Sequence, residues 1–321
     1  MPTAHAAMTK RERVWAAING HPVDRPPFLF WHHFRPHNVP GRLANSTLDF
    51  FGCFDLDIYK IMPDMPYPFP ANSIREPDDW DLVAPLDPDA GNLGRMVETA
   101  ALVRELAEPE TPIVVTVYSP ITEARRFAGG PEQLRRHLQE SPAAVHQALG
   151  IIAENLAGYC AELLAAGADG IYYAVQGIAG GWLDEMQFRE FARPYDLRVL
   201  SACSAGWLNV VHLHGDRDLM AGLALGYPGA VLSWEDRLTG VRLADLRDKV
   251  PDKALMGGID ERGAINHGDV GALKTEIRDA LAQTDGGRRF ILAPGCSVPD
   301  EISETHLERA RAAVDDLQQR S

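Results

Sequence analysis

The sequence has no excess of positive charge. Its 321 residues include 45 Asp and Glu against 31 Lys and Arg, which gives a formal net charge of -14. Proteins that bind nucleic acid generally need a basic surface to displace counterions from the phosphate backbone, so we expect no nucleic-acid partner. Long apolar runs are also absent. No stretch approaches the roughly 18 apolar residues that cross a bilayer, so we expect no membrane partner.

Cysteine is scarce as well. The four cysteines form no CxxC pair and no disulfide framework. The opening segment MPTAHAAMTKRERV lacks the apolar core of a secretory signal. No G-x-G-x-x-G loop is present, so a nucleotide-binding fold is not expected. Together these absences predict a cytoplasmic protein whose thiols stay reduced and available for metal binding or chemistry.

Hydrophobic residues make up 45% of the chain, which is enough for a large buried core. Short apolar runs recur that are typical of buried parallel strands, at Pro27–Trp31, Leu56–Ile61, Ile113–Tyr118, Gly170–Ala174, Leu208–Leu213, Ala230–Trp234, Ala254–Gly257 and Phe290–Ala293. Helices are expected at Thr9–Gly20, Pro142–Gly167, Asp184–Gly206, Asp216–Leu225, Arg242–Lys249, Val270–Gln283 and Glu301–Gln318. This alternation predicts an α/β fold, a (β/α)8 TIM barrel. We expect one domain over residues 1–321, with an N-terminal helix and an irregular insertion at 62–81.

The segment VVHLHGD carries the strongest chemical signal. His212 and His214 are two residues apart at the end of the fifth predicted strand, so their side chains share a face. Glu235 follows the sixth strand, and Cys296 lies in a Pro-Gly turn after the eighth. Active sites of such barrels are built at the carboxyl ends of the strands. Imidazole, carboxylate and thiolate are the usual ligands of zinc, so these four residues are predicted to hold Zn2+.

Each of these residues alone also has a plainer explanation. An isolated HxH is a weak metal signal, and Glu235 could cap the following helix. A free cysteine such as Cys296 is more often a small buried hydrophobe. Asp236 is expected to cap a helix or support a ligand rather than to bind metal itself. The placement of all four residues around one mouth is what favours the metal site.

Further candidates follow other predicted strands. Substrate binding is predicted for His32, His33, Arg35, Asp57, Tyr118, Tyr173 and Gln176. Catalytic roles are predicted for Glu235, Tyr172 and Asp260. Neighbours on a strand alternate, so only one of the two tyrosines should face the mouth. Plainer alternatives remain for the others: the histidine-containing segment could be a surface loop, Asp57 a buried polar residue of the barrel, and Asp260 a helix cap.

The sequence resembles the uroporphyrinogen decarboxylase superfamily over nearly its whole length. The motifs that carry the resemblance are Met8–Val14 with Pro22–Pro27, Phe188–Phe191 with Pro194 and Tyr195, Gly257–Asp260 and Ile291–Cys296. That superfamily includes zinc methyltransferases that carry methyl groups from corrinoid proteins to thiols such as coenzyme M. It is related to cobalamin-independent methionine synthase. The resemblance implies a zinc cofactor and a methyl-transfer reaction.

The candidate ligands correspond to this superfamily with one exchange. The methyltransferase branch places zinc on an HxC pair and a later Cys, and the methionine synthases add a Glu between them. His212 matches the first ligand, His214 stands where the Cys would be, and Glu235 and Cys296 follow at intervals close to the methionine synthase pattern. The exchange keeps a zinc ligand but replaces a thiolate with a neutral imidazole, which should make the metal more electrophilic.

We therefore expect a zinc-dependent methyltransferase or alkyl transferase. Its metal-bound substrate would be a small molecule, a thiol, and its methyl donor a corrinoid such as cobalamin, free or on a separate corrinoid protein, or another donor. One alternative is a metal-independent decarboxylase of a carboxylate, although the loop after Trp31 keeps Arg35 without the double-Arg motif of uroporphyrinogen decarboxylases. Another is a binding protein that has kept the barrel. A homodimer is the expected assembly.

Overall fold

The computed structural model describes residues 8–34 and 38–318. Seven parallel strands form one sheet in sequence order. They are β1 (Tyr59–Ile61), β2 (Ile113–Tyr118), β3 (Gly170–Val175), β4 (Val210–Leu213), β5 (Val231–Trp234), β6 (Ala254–Ile259) and β7 (Phe290–Pro294). Because the strands are parallel, their carboxyl ends meet at one edge of the sheet. The predicted α/β class is confirmed.

The first predicted strand, Pro27–Trp31, is present as a single bridge. Phe28 pairs in parallel with Leu292 on β7. Its carbonyl also accepts the N–H of Asp57, just before β1, at 3.0 Å. This segment therefore lies between the two outer strands of the sheet. The seven-stranded parallel sheet is established, and a regular eight-stranded barrel stays a prediction.

Helices connect the strands of the described chain. They are α1 (Lys10–Asn19), α2 (Pro40–Cys53), α3 (Gly91–Leu106), α4 (Pro120–Phe127), α5 (Pro131–Glu140), α6 (Pro142–Ala165), α7 (Glu185–Gln187), α8 (Arg193–Ala202), α9 (Leu243–Arg247), α10 (Ala264–His267), α11 (Val270–Gln283) and α12 (Glu304–Gln318). A π-helical turn, Phe188–Ala192, joins α7 to α8, and 3-10 turns occupy Pro77–Leu82 and Ala221–Leu223. The N-terminal helix begins as its sequence predicts, because Thr9 and Glu12 form a reciprocal capping box.

The helix predicted over Asp216–Leu225 does not form. Gly215 has a φ of 142° and Asp218 a φ of 51°, and a continuous right-handed helix cannot include such residues. The chain after β4 instead continues as a loop. The carbonyl of Arg217 in this loop accepts the N–H of Gly180 in the loop after β3 at 2.8 Å. Two neighbouring loops at the carboxyl edge are thereby joined.

One helix departs from the expectation that no segment could cross a bilayer. The 24-residue helix α6 is long and apolar enough by length and composition, with a mean hydropathy of 1.3 over its best window. Half of that window is buried inside the fold. Core helices pass the same test, and α6 packs against α8, α4 and α3, burying Val145, Leu149, Ile152 and Leu156. Its composition therefore suits its place in the core.

Candidate metal centre

Four side chains with metal-binding atoms meet at the carboxyl ends of three strands. His212 lies on β4 with His214 just beyond it, Glu235 follows β5, and Cys296 follows β7. One donor atom from each lies within 4.8 Å of the other three. His214 Nδ1 is 3.3 Å from Glu235 Oε1 and 3.5 Å from Cys296 Sγ. With metal–ligand bonds of about 2.0 to 2.3 Å, the edges of a tetrahedral zinc site measure roughly 3.3 to 3.7 Å. The two separations fit such a site.

Two glycines allow this close approach of the loops. A Cβ at Gly295 would lie 2.6 Å from the Cα of Glu235, so a side chain there would push Cys296 and its turn away from Glu235. Directly after His214, Gly215 has a positive φ, and a Cβ would meet that of Ala179 at 2.5 Å. Glycine tolerates both the contact and the backbone conformation. The turns next to His214 and Cys296 therefore depend on residues without side chains.

The ring of His212 is oriented by its neighbours. It is 3% exposed, and its Nδ1 lies 3.3 Å from Ser233 Oγ on β5. A hydrogen bond at one ring nitrogen fixes the ring and leaves the other nitrogen for a metal. Burial, together with the charges of His214 and Lys60, lowers the pKa of His212. The ring is therefore neutral, which is the state that binds metal.

His214 has the opposite electrostatics. Burial acts to lower its pKa, but hydrogen bonds with Cys296 and Glu235 outweigh burial and raise the pKa to about 10. Without a metal, the ring holds a proton between the sulfur and the carboxylate. The surrounding donors therefore favour a positive charge at this point. A divalent metal would displace that proton, because ligands bind metals in their deprotonated forms.

The carboxylate of Glu235 supports the same assignment. It is 2% exposed, and its Oε2 has no hydrogen-bond partner among the described residues. Leaving a buried polar group unsatisfied costs about 1 to 3 kcal/mol, and more when it is charged. A cation would satisfy this oxygen. Two imidazole nitrogens, one carboxylate oxygen and one sulfur form a donor set that suits Zn2+.

Lys60 is a charged residue of this region that sequence reasoning missed. Its side chain on β1 is 1% exposed, and its Nζ lies 4.2 Å from the ring centre of Tyr172 and 4.8 Å from that of Trp31. The hydrogen-bond partner it has in the described chain is the sulfur of Met62, at 3.1 Å. Burial lowers the pKa of Lys60 to about 7, although the charges of Cys296 and Asp64 oppose this shift. The ammonium therefore lies near the candidate ligands without an oxygen partner.

The prediction that Asp57 points into the mouth is not supported by its position. Asp57 is fully buried, accepts a hydrogen bond from Arg13 Nη1 at 2.6 Å and pairs with Arg25. It precedes β1, where it also accepts the N–H of Phe28. On β1 it is Lys60, and not Asp57, whose side chain lies beside Tyr172. Asp57 therefore joins the first helix to the sheet and is not brought to the metal centre.

The two tyrosines of β3 face opposite ways. The Tyr172 ring lies 5.3 Å from that of His212, and its hydroxyl is 3.5 Å from Ser233 Oγ. Tyr173 instead donates a hydrogen bond to Asp196 Oδ1 on α8 at 2.8 Å. Strand alternation requires this arrangement. Tyr172 is at the candidate site, and Tyr173, predicted to bind substrate, packs on the helical side of the sheet.

Asp260 and its neighbour Glu261 have different surroundings in the turn after β6. Asp260 Oδ1 accepts the N–H of Arg262 at 2.9 Å within this turn, and the helix cap also considered for Asp260 does not form, because α10 begins at Ala264 with Gly263 as its cap. Glu261 is buried, and neither of its oxygens has a hydrogen-bond partner in the described chain, its nearest cation being Arg262 at 3.8 Å. Burial, with the charges of Glu235 and Asp260, raises the pKa of Glu261 to about 7. Its Oε2 lies 3.3 Å from the Cβ position of Gly295, so Glu261 borders the metal centre.

The loop after the Phe28 bridge holds the two histidines that were predicted to bind substrate. His33 Nδ1 bonds Asp64 Oδ1 at 2.7 Å, and the His32 ring packs edge-on against Phe50, 4.6 Å between centres. Burial lowers the pKa of His32. Neither ring belongs to the four-donor cluster. Arg35, the third predicted residue of this loop, lies outside the described residues.

A cavity of about 360 Å³ opens beside the carboxyl ends of β2 and β3. It is lined in part by Tyr118 and Gln176, two of the predicted substrate-binding residues, and by Arg125. Burial raises the pKa of the Tyr118 hydroxyl; the charges of Glu123, which also lines the cavity, and of Cys296 add to that shift, and Arg125 opposes it. We call this space the Arg125 cavity.

The model of the uroporphyrinogen decarboxylase (URO-D) family matches residues 57–317. The chain therefore belongs to the URO-D family. The matched region contains all four candidate ligands as well as Lys60 and Arg125.

Curated relatives come from two branches of this family. "Methylcobamide:CoM methyltransferase MtaA" of Methanosarcina barkeri is 28% identical over 222 residues, covering 68% of this chain and 61% of the relative. A "Uroporphyrinogen decarboxylase" of Xanthomonas euvesicatoria is 27% identical over 244 residues, covering 70% of this chain and 66% of the relative. The match thus covers about three-fifths of the length of the methyltransferase relative.

Solved structures support the fold. A "methyltransferase from Methanosarcina mazei" superposes with a TM-score of 0.78 at 20% identity, covering 97% of this chain and 99% of the other. A "Putative Vitamin-B12 Independent Methionine Synthase from Listeria monocytogenes" gives a TM-score of 0.57 at 13% identity, covering 87% of this chain and 86% of the other. Both branches named by the sequence resemblance are therefore found among the structural neighbours.

Proposed function

We propose that the chain is a zinc-dependent methyltransferase whose metal is held by His212, His214, Glu235 and Cys296. The observation that carries this proposal is the convergence of four donor atoms within 4.8 Å from three strand ends. The partnerless Oε2 of Glu235 supports it independently. The name of the Methanosarcina barkeri relative favours methyl transfer over other zinc chemistry.

The donor set would balance the charge of the ion. Glu235 and Cys296 contribute one negative charge each when they bind metal, and two imidazoles contribute none. Zinc bound there would supply Lewis acidity that keeps a substrate thiol deprotonated near neutral pH. We propose a small thiol as the methyl acceptor, because a thiolate is a strong nucleophile toward a methyl group. The donor would be a corrinoid such as cobalamin, free or on a separate protein.

The neighbouring residues have distinct tasks in this proposal. Ser233 holds the ring of His212 through Nδ1, which leaves the other nitrogen directed to the ligand cluster. Glu261 would take the proton of the incoming thiol. Its oxygens accept no hydrogen bond from the described residues, and a carboxyl with a pKa of about 7 suits a base that works near neutrality. Tyr172 would form a wall of the site beside His212.

The decarboxylase relatives raise a second candidate, a metal-independent decarboxylation of a carboxylate. A reaction of that kind would depend on Arg35 or Asp57, the charged residues predicted to bind substrate. Asp57 is engaged by Arg13 and Arg25, and a metal-free site would leave the buried oxygen of Glu235 unsatisfied. These contacts favour the metal enzyme. A homodimer in the cytoplasm remains part of the proposal on the grounds given by the sequence.

Metal content tests this proposal. Protein purified without chelator and without a His tag is expected to carry about one zinc per chain. His212→Ala and Cys296→Ser should lose the zinc together with methyl transfer from methylcobalamin to a thiol. His267→Ala and Cys53→Ser are matched controls, since both residues are exposed and outside the cluster. Full methyl-transfer activity in zinc-free protein would contradict the proposal.

A further inference from the structure

The guanidinium of Arg125 lines the Arg125 cavity without a carboxylate partner. Within the described chain, no acidic oxygen forms an ion pair with it, and its buried Nε has no hydrogen-bond partner. One Nη donates to Gln176 Oε1 at 2.8 Å, and the guanidinium lies 5.4 Å from the ring centre of Trp182. A neutral amide and an aromatic face fix the group in place. Neither neutralises its charge.

The acidic residue nearest in the chain does not serve this purpose. Glu123 bonds Arg126 Nε at 2.9 Å. Arg126 also donates from Nη1 to the backbone carbonyl of Phe69 at 2.8 Å and from Nη2 to that of Tyr67 at 2.9 Å. Each of the three guanidinium nitrogens of Arg126 therefore has a partner in the protein. Arg125, its neighbour on the same helix, is left with positive charge and a free N–H.

The Arg125 cavity lies on the same side of the sheet as the metal centre. Tyr118 and Gln176 end or follow β2 and β3, and the carbonyl of Val175, just before Gln176, accepts the N–H of His214 at 2.9 Å. Tyr118 pairs with Ala174 in the register of β2 and β3, and Ala174 pairs with His212 in the register of β3 and β4. A cavity of about 360 Å³ lies within the range of sites for small ligands. Arg125 therefore lines a cavity at the same carboxyl edge of the sheet as the four candidate ligands, and Tyr118 of that cavity is two strands from His212.

We propose that Arg125 binds a carboxylate or similar single anionic group on the molecule that reacts at the metal centre. A planar guanidinium with free N–H groups recognises such a group through charge-assisted hydrogen bonds. Arg125 would thereby select anionic over neutral substrates. The inference rests on the proposed function only in placing the reacting atom at the metal.

The test compares two thiols of similar size, 3-mercaptopropionate and the neutral 2-mercaptoethanol, with methylcobalamin as donor. Arg125→Gln is expected to raise KM for the anionic thiol about tenfold or more, with kcat and the neutral thiol little changed. Arg125→Lys should keep part of the preference, which separates a lost charge from misfolding. Arg135→Gln, a half-exposed arginine on α5 that pairs only with Glu132 among the described residues, is the matched control.

Calorimetric titration with the same two thiols separates this inference from the proposed function. Suppose that the protein transfers no methyl group but binds 3-mercaptopropionate, and that Arg125→Gln weakens this binding. The anion site would then stand, and the proposed methyltransferase activity would be wrong. Suppose instead that both thiols are methylated and that Arg125→Gln leaves both KM values unchanged. The methyltransferase proposal would then stand, and the anion site would be wrong. Absence of any preference for the anionic thiol in both binding and turnover also overturns the inference.

Discussion

The ammonium of Lys60 lies 4.2 Å from the centre of the Tyr172 ring, and that ring lies 5.3 Å from the ring of His212. A buried cation is thus linked to a candidate metal ligand through one aromatic side chain. A cation–π contact contributes about 0.5 to 2 kcal/mol, which is less than the cost of burying an ammonium without an oxygen partner. Lys60 therefore destabilises the fold at this point, as functional residues often do.

The pH dependence of stability should reveal this cost. Burial lowers the pKa of Lys60 to about 7 in the folded protein, against 10.5 for a solvated lysine. Between these values the unfolded chain binds more protons, so this residue makes the free energy of unfolding rise with pH. The penalty is complete below pH 7 and absent above about pH 10.5. Lys60→Met removes it.

Urea unfolding at pH 7 and pH 9 would measure this effect. We expect the stability of Lys60→Met relative to the wild type to be greater at pH 7 than at pH 9, by on the order of a few kcal/mol. Lys10→Met removes a lysine that pairs with Asp55. Its stability relative to the wild type should be the same at pH 7 and pH 9. A difference between Lys60→Met and wild type that stays constant with pH would count against a depressed pKa.

Glu235→Gln should weaken the metal site while preserving its shape. The substitution removes one of the two negative charges of the cluster, and an amide is a poorer zinc ligand than a carboxylate. We expect zinc affinity, measured by competition with a chromogenic chelator, to fall at least about tenfold. Glu132→Gln, at an exposed surface pair, is the control. Equal zinc affinity in both variants would exclude Glu235 as a ligand.

Ser233→Ala should act on the metal through His212. Removal of the hydroxyl leaves the Nδ1 of His212 without the contact at 3.3 Å, so the ring loses its orientation. Loss of a hydrogen bond behind a ligand typically costs 10- to 100-fold in metal affinity, and we expect about that range here. The same chelator competition measures it. A shift confined to thermal stability, with zinc affinity unchanged, would assign Ser233 a packing role alone.

Glu261→Gln should slow methyl transfer without loss of zinc. If Glu261 takes the thiol proton, its removal matters most for thiols of high pKa and least for those already ionised. In the wild type, kcat/KM should rise with pH through an apparent pKa near 7, the value to which burial raises this carboxyl. In Glu261→Gln, the rise of kcat/KM near pH 7 should be absent. A uniform loss across thiols of different pKa would instead indicate a structural role.

The sequence predicted the strands after β1 because their apolar runs are separated by clear turn and helix signals. It also predicted the four-donor set, because residues two apart on a strand share a face and parallel strands end at one edge. Helices α2 to α5 were not predicted. In that part of the chain, proline-rich and acidic segments obscure the apolar period.

Side-chain direction was harder to predict than chain path. The sequence placed Asp57 at the mouth and missed Lys60, because alternate residues point to opposite faces and a shift of one residue in strand phase changes which side chains face inward. Asp260 and Glu261 are similar neighbours, and only the turn after β6 decides which one is buried beside Glu235. Arg125 offered no local signal either. Arg125 lacks an acidic partner among the described residues only because of how the chain folds, and the sequence around it does not show this.

X-ray absorption at the zinc edge is the most direct test of the proposed centre. For the protein as purified, the account predicts a four-coordinate shell of nitrogen and oxygen near about 2.0 to 2.1 Å with one sulfur near about 2.3 Å. Cys296→Ser should remove the sulfur scattering and Cys53→Ser should not. A zinc shell without sulfur, or a sulfur signal that survives Cys296→Ser, would contradict the assignment of these four residues as the metal ligands.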